Sequence, residues 1–329
     1  MVGEDSVASL DGLVLAAASV AERAAIAASR FIGRGDEKAA DQAAVDAMRE
    51  ALNALPIRGR VVIGEGERDE APMLYIGEEV GQGWAEGTGP EIDIALDPLE
   101  GTTLTAKAMP NALAVLAMAP RGGLLFAPDT YMDKIAVGPG YPDELVSFAR
   151  SPAETVRALA DAKGVAASEI TVCVLDRERH AELIGELRGV GARVALISDG
   201  DVQAVVNVAD PTTNVDLYLG SGGAPEGVLA AAALTCMGGQ MKGRLVFRSA
   251  DERERARKTG IADFDKVYSL RELVSAPAVF AATGVTNGSL LDGVRMSGGQ
   301  VRTHTLVMNA ATGVQRRLRS SRSLANRSA

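Results

Sequence analysis

The sequence predicts an α/β chain, with an α+β first half and an α/β second half. Three observations predict it. Short strand-like runs mix with helical stretches in the first half. The second half alternates strand and helix, an order that argues a mainly parallel sheet covered by helices. The 329 residues are 47% hydrophobic, enough for one large core or two modest ones and hence for about two domains.

From the N-terminus, MVGEDSVASLDG lacks the basic region and cleavage site of a signal peptide. No uninterrupted apolar run approaches the roughly 18 to 20 residues of a bilayer span, because Glu22 and Arg23 break the Ala-rich segment from Leu13. A soluble, cytoplasmic protein with no membrane partner is expected. After GRGDEKAAD, Val45, Met48, Leu52 and Leu55 recur at spacings of three and four and define a helix's buried stripe. Strands follow at RVVI, residues 60–63, at EIDIALD, residues 91–97, and at ALAVLAM, residues 112–118. Ser151-Pro152-Ala153-Glu154 reads as a capping box with Pro at the first helical position, which sets a domain boundary near 150.

The second domain, residues 151–315, runs ITVCVLD, a helix through Leu183 to Leu187, RVALIS, a short helix, VDLYLG, a helix through Val228 to Leu234, RLVF and AVFAATG. Ligands of such a sheet are expected at the carboxyl ends of its strands. Residues 316–329, RRLRSSRSLANRSA, are Ser/Arg-rich without apolar period. They read as a basic, flexible tail, with a partner or nucleic-acid contact as the alternative.

Composition removes several chemistries. Cys173 and Cys236 sit in apolar surroundings without ligand spacing and read as buried reduced thiols. With His180 and His304 alone, a histidine zinc site or a Ser-His-Asp triad is poorly supplied. Acidic residues outnumber basic ones 43 to 34; without residues 316–329 the balance is 29 basic against 43 acidic, or −14. Such a body repels nucleic acid and phosphate unless cations occupy its acids.

Those acids cluster. Asp41 lies four residues before Val45 and projects from the helix's buried face, where a carboxylate is paired, protonated or metal-bound, or caps the first turn. In VVIGEGERDEAP, Glu65, Glu67, Asp69 and Glu70 fall within six residues beside Gly64 and Gly66, as a solvated turn or a ligand loop. In EIDIALDPLEGTT, Asp93 and Asp97 take one strand face, Pro98 ends the ladder, and the turn delivers Glu100, Gly101 and Thr102. Two acids and a Gly-Thr at a strand end supply hard-cation ligands, a backbone N–H for a phosphate oxygen and a hydroxyl for a water; an ordinary turn is the alternative.

Asp97-Pro98-Leu99-Glu100-Gly101-Thr102 resembles the Asp-Pro-hydrophobe-acid-Gly-Thr signature of the inositol monophosphatase and fructose-bisphosphatase superfamily. With GEGERDEAPMLYIGE, NALAVLA, APDTYM, DGD and GGAPEGV, it is similar to the class II fructose-1,6-bisphosphatases from about Arg34 to Gly227, and more weakly to Thr286. The resemblance implies a layered α-β-α-β-α sugar-phosphatase-like fold. It further implies a phosphoric monoester hydrolase of carbohydrate metabolism that removes the 1-phosphate of fructose 1,6-bisphosphate in gluconeogenesis, and a homo-oligomer, dimer or tetramer.

Carried over residue by residue, the resemblance implies metal ligands at Asp41, Glu65, Asp97, Glu100 and Glu226, holding two or more Mn²⁺ or Mg²⁺ ions. The water-activating threonine falls on Thr102, with Glu67 and Asp69 among the catalytic acids. Substrate contacts fall on Glu100, Gly101, Thr102, Tyr131, Arg177, Arg179, Asp199, Gly200, Asp201 and Gly223. The basic residue expected after Asp36 is displaced, with Glu37 there and Lys38 next, and the Lys-Pro-Arg-like segment reads Arg177-Glu178-Arg179. Sedoheptulose 1,7-bisphosphate is a second candidate substrate. A related inositol or nucleotide phosphatase would share the chemistry of residues 97–102 without needing the arginine pair, and a non-catalytic phosphate-binding protein is the rival of another class.

Overall fold

The computed structural model describes residues 4–66 and 73–323, so Glu67 and Asp69 lie outside the described residues. The chain forms two compact units. The first opens with α1 (Glu4–Ser29), α2 (Glu37–Asn53), β1 (Arg58–Ile63), β2 (Glu79–Val80), the one-turn α3 (Gly83–Glu86), β3 (Glu91–Glu100), α4 (Thr102–Ala106) and β4 (Leu113–Pro120). The second, from Leu125, holds β5 (Tyr131–Val137), α5 (Pro152–Lys163), β6 (Thr171–Leu175), α6 (Ala181–Gly189), β7 (Arg193–Ile197), α7 (Asp201–Asn207) and β8 (Leu217–Gly223). It continues with α8 (Ala224–Met237), β9 (Gln240–Val246), α9 (Ala250–Lys258), β10 (Val267–Ser269) and α10 (Leu270–Leu273). From Ala276 the chain returns to the first unit as β11 (Val279–Gly284), β12 (Arg295–Ser297), β13 (Gln300–Asn309) and β14 (Val314–Ser323).

These crossings differ from the boundary expected near residue 150. Strand pairing decides membership: β5 hydrogen-bonds to β8 and β9, while β11 hydrogen-bonds to β4. The capping box is present as read, with Ser151 and Glu154 exchanging hydrogen bonds and Pro152 opening α5, but it starts a helix inside the second unit.

In the first unit the strand order is β12-β13-β11-β4-β3-β1-β2, with β14 on the other edge of β13. Only the β1–β3 pairing is parallel. One face is covered by α1 and α2: Val45, Met48 and Leu52 are buried as their spacing predicts, in one cluster with Ile94, Leu96, Leu99 and Leu104, whereas Leu55 lies past the end of α2 and is only partly buried. Full burial of a Met or Leu side chain contributes roughly 1.5–3 kcal/mol, so this stripe outweighs the weak helix propensity of any single residue in α2.

Leu10–Ser29 of α1, with mean hydropathy 1.4, is long and apolar enough to cross a membrane by length and composition, against the expectation from Glu22 and Arg23. Here its Leu10, Ala17, Ala21, Ala24 and Ala28 are wholly buried in the first unit's core. Glu22, 4% exposed, accepts hydrogen bonds from Arg322 Nη2 and Ser320 Oγ, each at 2.6 Å. That network corrects the reading of residues 316–329. Residues 316–323 belong to β14, which pairs with β13 from Asn309 opposite Val314 to Gln300 opposite Ser323. The strand was illegible because the face toward α1 carries Leu318, Ser320 and Arg322, so buried polar pairing replaces apolar alternation. Residues 324–329 lie outside the described residues.

The second unit's strand order is β10-β9-β5-β8-β6-β7. Among the described residues only the β6–β7 and β6–β8 pairings are parallel; β5 runs antiparallel to both β8 and β9, and β10 antiparallel to β9. The expected mainly parallel sheet is therefore a mixed one. The βαβ step from β8 through α8 to β9 leaves a slot between its strands, and β5, from earlier in the chain, fills it. The mixed α/β class holds, with helices on a mostly antiparallel sheet in the first unit and strand–helix alternation in the second. Cys173 and Cys236 are buried and not disulfide-bonded, and burial pushes the Cys173 thiol up to about 12.

His180, 4% exposed, ties the ends of β6 and β8 together. Its Nδ1 lies 2.7 Å from the Leu175 carbonyl oxygen, and its Nε2 accepts the Ser221 N–H at 2.8 Å. These partners require a neutral ring protonated at Nδ1. Burial, aided by the Arg179 charge, lowers its pKa below the ordinary 6.5.

Two outcomes follow from these contacts. Ending the chain at residue 313 is expected to lower the thermal midpoint, because β13 loses its partner and Glu22 its donors; an unchanged midpoint would return the segment to a dispensable tail. For His180, the unfolded chain binds the proton more readily than the folded one. Stability is thus retained above 6.5 and lost as pH falls from there through the lowered folded value. Urea midpoints from about pH 7.5 to about 5.5 should fall more steeply for the natural protein than for His180→Gln, and parallel slopes would contradict this.

Candidate active site

Asp97 and Glu100 are three residues apart on β3, a spacing that would put them on opposite faces of a regular strand. They are not on opposite faces. Asp97 pairs with Val115 of β4 and Glu100 with Leu113, so β4 advances two residues while β3 advances three. The extra residue is a β-bulge at Pro98-Leu99, where a residue without an N–H is tolerated. Because cross-strand partners share a face, Asp97 and Glu100 emerge on the same side, while Leu96 and Leu99 turn to the helices. The ladder therefore runs on to Glu100, instead of ending at Pro98 as expected. The Leu99 N–H donates to Asp97 Oδ1 at 3.0 Å, and Glu100 is 3% exposed.

Gly101 follows with φ +87°, where a Cβ would also meet Leu104 Cδ1 at 2.8 Å, and delivers half-buried Thr102 as the first residue of α4. The far end of α4 is tied to the loop before α2, through Gly33 N–H to the Thr105 carbonyl at 2.9 Å and Gly35 N–H to the Ala106 carbonyl at 3.0 Å. Asp36, not Asp41, caps α2, accepting the Ala39 N–H at 2.9 Å. Asp41 is left inside the helix, half-buried, and burial raises its carboxyl above the ordinary value. Lys38 is exposed on the same helix. Half-buried Glu65 lies two residues past β1, its N–H donating to the Leu74 carbonyl at 3.0 Å.

The first unit thus joins Asp97 with Glu100. Among the described residues, no three His, Cys, Asp or Glu side chains form a group that could hold a metal ion. The donor chemistry is nonetheless that of a hard divalent ion, with carboxylate oxygens and no sulfur or imidazole, two of the carboxylates turned to one face by a bulge.

The second unit has a cavity of about 380 Å³ lined by Tyr131, Arg177, Arg179, Asp199, Asp201, Gly223 and Glu226, among others. The sequence placed all of these but Tyr131 after β6, β7 and β8, and they do converge at the carboxyl ends of those strands, where Tyr131 joins them from the start of antiparallel β5. Gly200, with φ +87°, caps α7, its N–H donating to Asp199 Oδ1 at 3.1 Å. Asp201 Oδ2 pairs with Lys134 Nζ at 2.5 Å and accepts from Tyr218 Oη at 3.4 Å. Burial raises the Tyr218 hydroxyl well above its ordinary value, so it remains a donor.

Glu226 is in the first turn of α8, and its Oε2 is occluded without a hydrogen-bond partner. A Cβ on Gly223 would fall 1.9 Å from that oxygen, so only glycine accommodates it. Burial, then the charge of Asp201, push the Glu226 carboxyl up to about 7, while Lys134 opposes them. A buried carboxylate oxygen without a partner is costly and fits a cation ligand.

Arg179 donates from Nε and Nη2 to the Ser221 carbonyl at 3.1 and 2.7 Å, and its guanidinium lies 4.9 Å from the Tyr131 ring centre. Two residues here escaped the sequence reading. Lys134, 1% exposed, interrupts the apolar alternation of YMDKIAV, and only its distant partner Asp201 explains it. Arg248 lines the cavity and follows RLVF as Arg177 follows ITVCVLD, a strand-end position that could have flagged it.

Comparison with known proteins bears on this arrangement. The profile of the family described as bacterial fructose-1,6-bisphosphatase, glpX-encoded, matches residues 11–322. A D-fructose 1,6-bisphosphatase class 2/sedoheptulose 1,7-bisphosphatase of Synechococcus sp. (strain JA-3-3Ab) is 47% identical over 312 residues, 88% of this chain and 90% of that one. The protein of the same name from Thermosynechococcus vestitus (strain NIES-2133 / IAM M-273 / BP-1) is 47% identical over 319 residues, 90% and 92% of the two chains. Among solved structures, an inositol monophosphatase from Anabaena (Nostoc) sp. PCC 7120 matches at TM-score 0.35 and 13% identity over 64% of this chain and 74% of that one, too slight a likeness to carry an argument. With nearly its whole length matched, the chain belongs to the bacterial, glpX-encoded fructose-1,6-bisphosphatase family of phosphatases.

Proposed function

We propose that this enzyme hydrolyses the 1-phosphate of fructose 1,6-bisphosphate to give fructose 6-phosphate and phosphate, and that sedoheptulose 1,7-bisphosphate is a second substrate. The relatives carry both activities in their names. The observation that carries the reading is the second-unit cavity, lined by Arg177, Arg179, Arg248 and the Tyr131 phenol together with the carboxylates of Asp199, Asp201 and Glu226. A phosphorylated polyol presents complementary groups, an anion for the arginines and hydroxyl donors for the acids. A nucleotide phosphatase reading lacks support there, since among the described residues Tyr131 is the one aromatic side chain lining the cavity.

In this reading Asp41, Glu65, Asp97, Glu100 and Glu226 are the ligands of divalent ions, Mn²⁺ or Mg²⁺. Bound ions would offset the repulsion between a bisphosphate and a chain of net charge −9, and acidify an attacking water. Glu100, Gly101 and Thr102 bind the scissile phosphate end, and the Thr102 hydroxyl orients the water, its β-branch limiting χ1 freedom. Glu67 and Asp69 are the further acids of this chemistry. Arg177 and Arg179 take the phosphate that is not cleaved, with Tyr131, Asp199, Gly200, Asp201 and Gly223 fixing the sugar.

Phosphate release from both bisphosphates tests this, with and without added Mn²⁺ and Mg²⁺. Activity should vanish in excess EDTA and return with either ion, and Arg179→Ala should raise KM for the bisphosphate by roughly tenfold or more, from the loss of a charge-assisted contact. Undiminished turnover in EDTA would remove the metal chemistry, and release from neither sugar the substrate assignment.

A further inference from the structure

Arg248 stands outside the contacts carried over from the family, yet it shares a cavity with Arg177, Arg179 and Tyr131. Its guanidinium lies 4.3 Å from the Tyr131 ring centre, where that of Arg179 lies at 4.9 Å. Two cations against one ring repel each other, and an anion beside both relieves that repulsion.

Both guanidiniums are anchored by the same two nitrogens. Arg248 Nε and Nη2 donate to Glu252 Oε1 at 3.0 and 2.7 Å, and Arg179 Nε and Nη2 donate to the Ser221 carbonyl. In each the Nη1 edge remains for a further acceptor, on a fork whose entropy is already largely spent. The anchor of Arg248 is itself built in: Glu252 is 5% exposed, its Oε2 accepts the Arg248 N–H at 2.5 Å and lies 3.2 Å from Thr130 Oγ1, and its own N–H is held by Ser249 Oγ. Thr130 directly precedes Tyr131, so one buried carboxylate fixes both the guanidinium and the start of β5. Glu252 also offsets the charge of Arg248, whereas Arg179 is held by a neutral carbonyl and keeps its charge for a ligand.

We propose that Arg248, held by Glu252, is a third guanidinium contact for a phosphate monoester at this end of the cavity and that it positions the Tyr131 ring there. Glu252 is then a positioning residue acting through Arg248. The inference rests on the phosphatase reading only for the substrate's name, because binding at this site needs no turnover.

The test is calorimetric titration of the full chain with fructose 6-phosphate in EDTA, alongside KM and kcat for fructose 1,6-bisphosphate. Arg248→Lys, which keeps the charge and loses the fork, should weaken fructose 6-phosphate binding about tenfold and raise KM with kcat nearly unchanged. Glu252→Gln should do the same to a smaller extent, without altering the cavity's own side chains. Unchanged affinity in both variants, an absence of fructose 6-phosphate binding by the natural protein, or a fall in kcat at constant KM would overturn the proposal. If the natural protein binds fructose 6-phosphate and Arg248→Lys does not, while neither releases phosphate from any bisphosphate, this inference stands and the phosphatase reading fails.

Discussion

One extra residue in β3 decides what the first unit can do. Without the bulge at Pro98-Leu99, Leu99 would stand opposite Leu113, and Glu100 would turn into the helix-covered core of Leu96 and Leu104. Burying an unpaired carboxylate there costs several kcal/mol, more than Leu99 returns on the other face. The bulge settles both demands at once, sending Leu96 and Leu99 to the helices and Asp97 and Glu100 to the other side. Gly101 then turns the chain into α4, whose far end is tied to the loop before α2, so the start of the Asp41 helix is fixed relative to the strand.

The second unit solves a related problem with buried ionic pairs. Lys134 and Asp201 are buried, and removing one partner of such a pair typically costs about 3–5 kcal/mol. The pair forms where β5 sits between β8 and β9, which brings residue 134 to the start of α7. Sheet topology and cavity chemistry are thus coupled: Tyr131 begins the same strand, and His180 holds the ends of β6 and β8 as a neutral strut.

Local signals were legible in the sequence. The stripe of α2, the capping box of α5 and the alternation in β3 up to Asp97 read correctly, because propensity and periodicity act within a turn or a strand. The strand-end placement of Arg177, Arg179, Asp199 and Glu226 followed from the same logic. What failed depended on partners far along the chain. Unit membership turned on β5 and β11 choosing distant neighbours, the mainly parallel sheet on β5 entering from outside the repeat, and β14 on Glu22, some three hundred residues away, accepting from Arg322. The bulge was half visible: Pro98 announced an interrupted ladder, but only the β4 register shows that pairing resumes at Glu100.

The bulge turns Asp97 and Glu100 to one face, where the proposed divalent-ion chemistry would have them share one ion. A double-mutant cycle on divalent-ion affinity tests it most directly, using Asp97→Asn, Glu100→Gln and the double variant with Mn²⁺ titrated calorimetrically. Two ligands of a shared ion should show a coupling of about 0.5 kcal/mol or more, the double variant losing clearly less or more than the two single losses combined. Losses that add within measurement error, or an affinity untouched by either change, would mean that the two carboxylates share a face without sharing an ion.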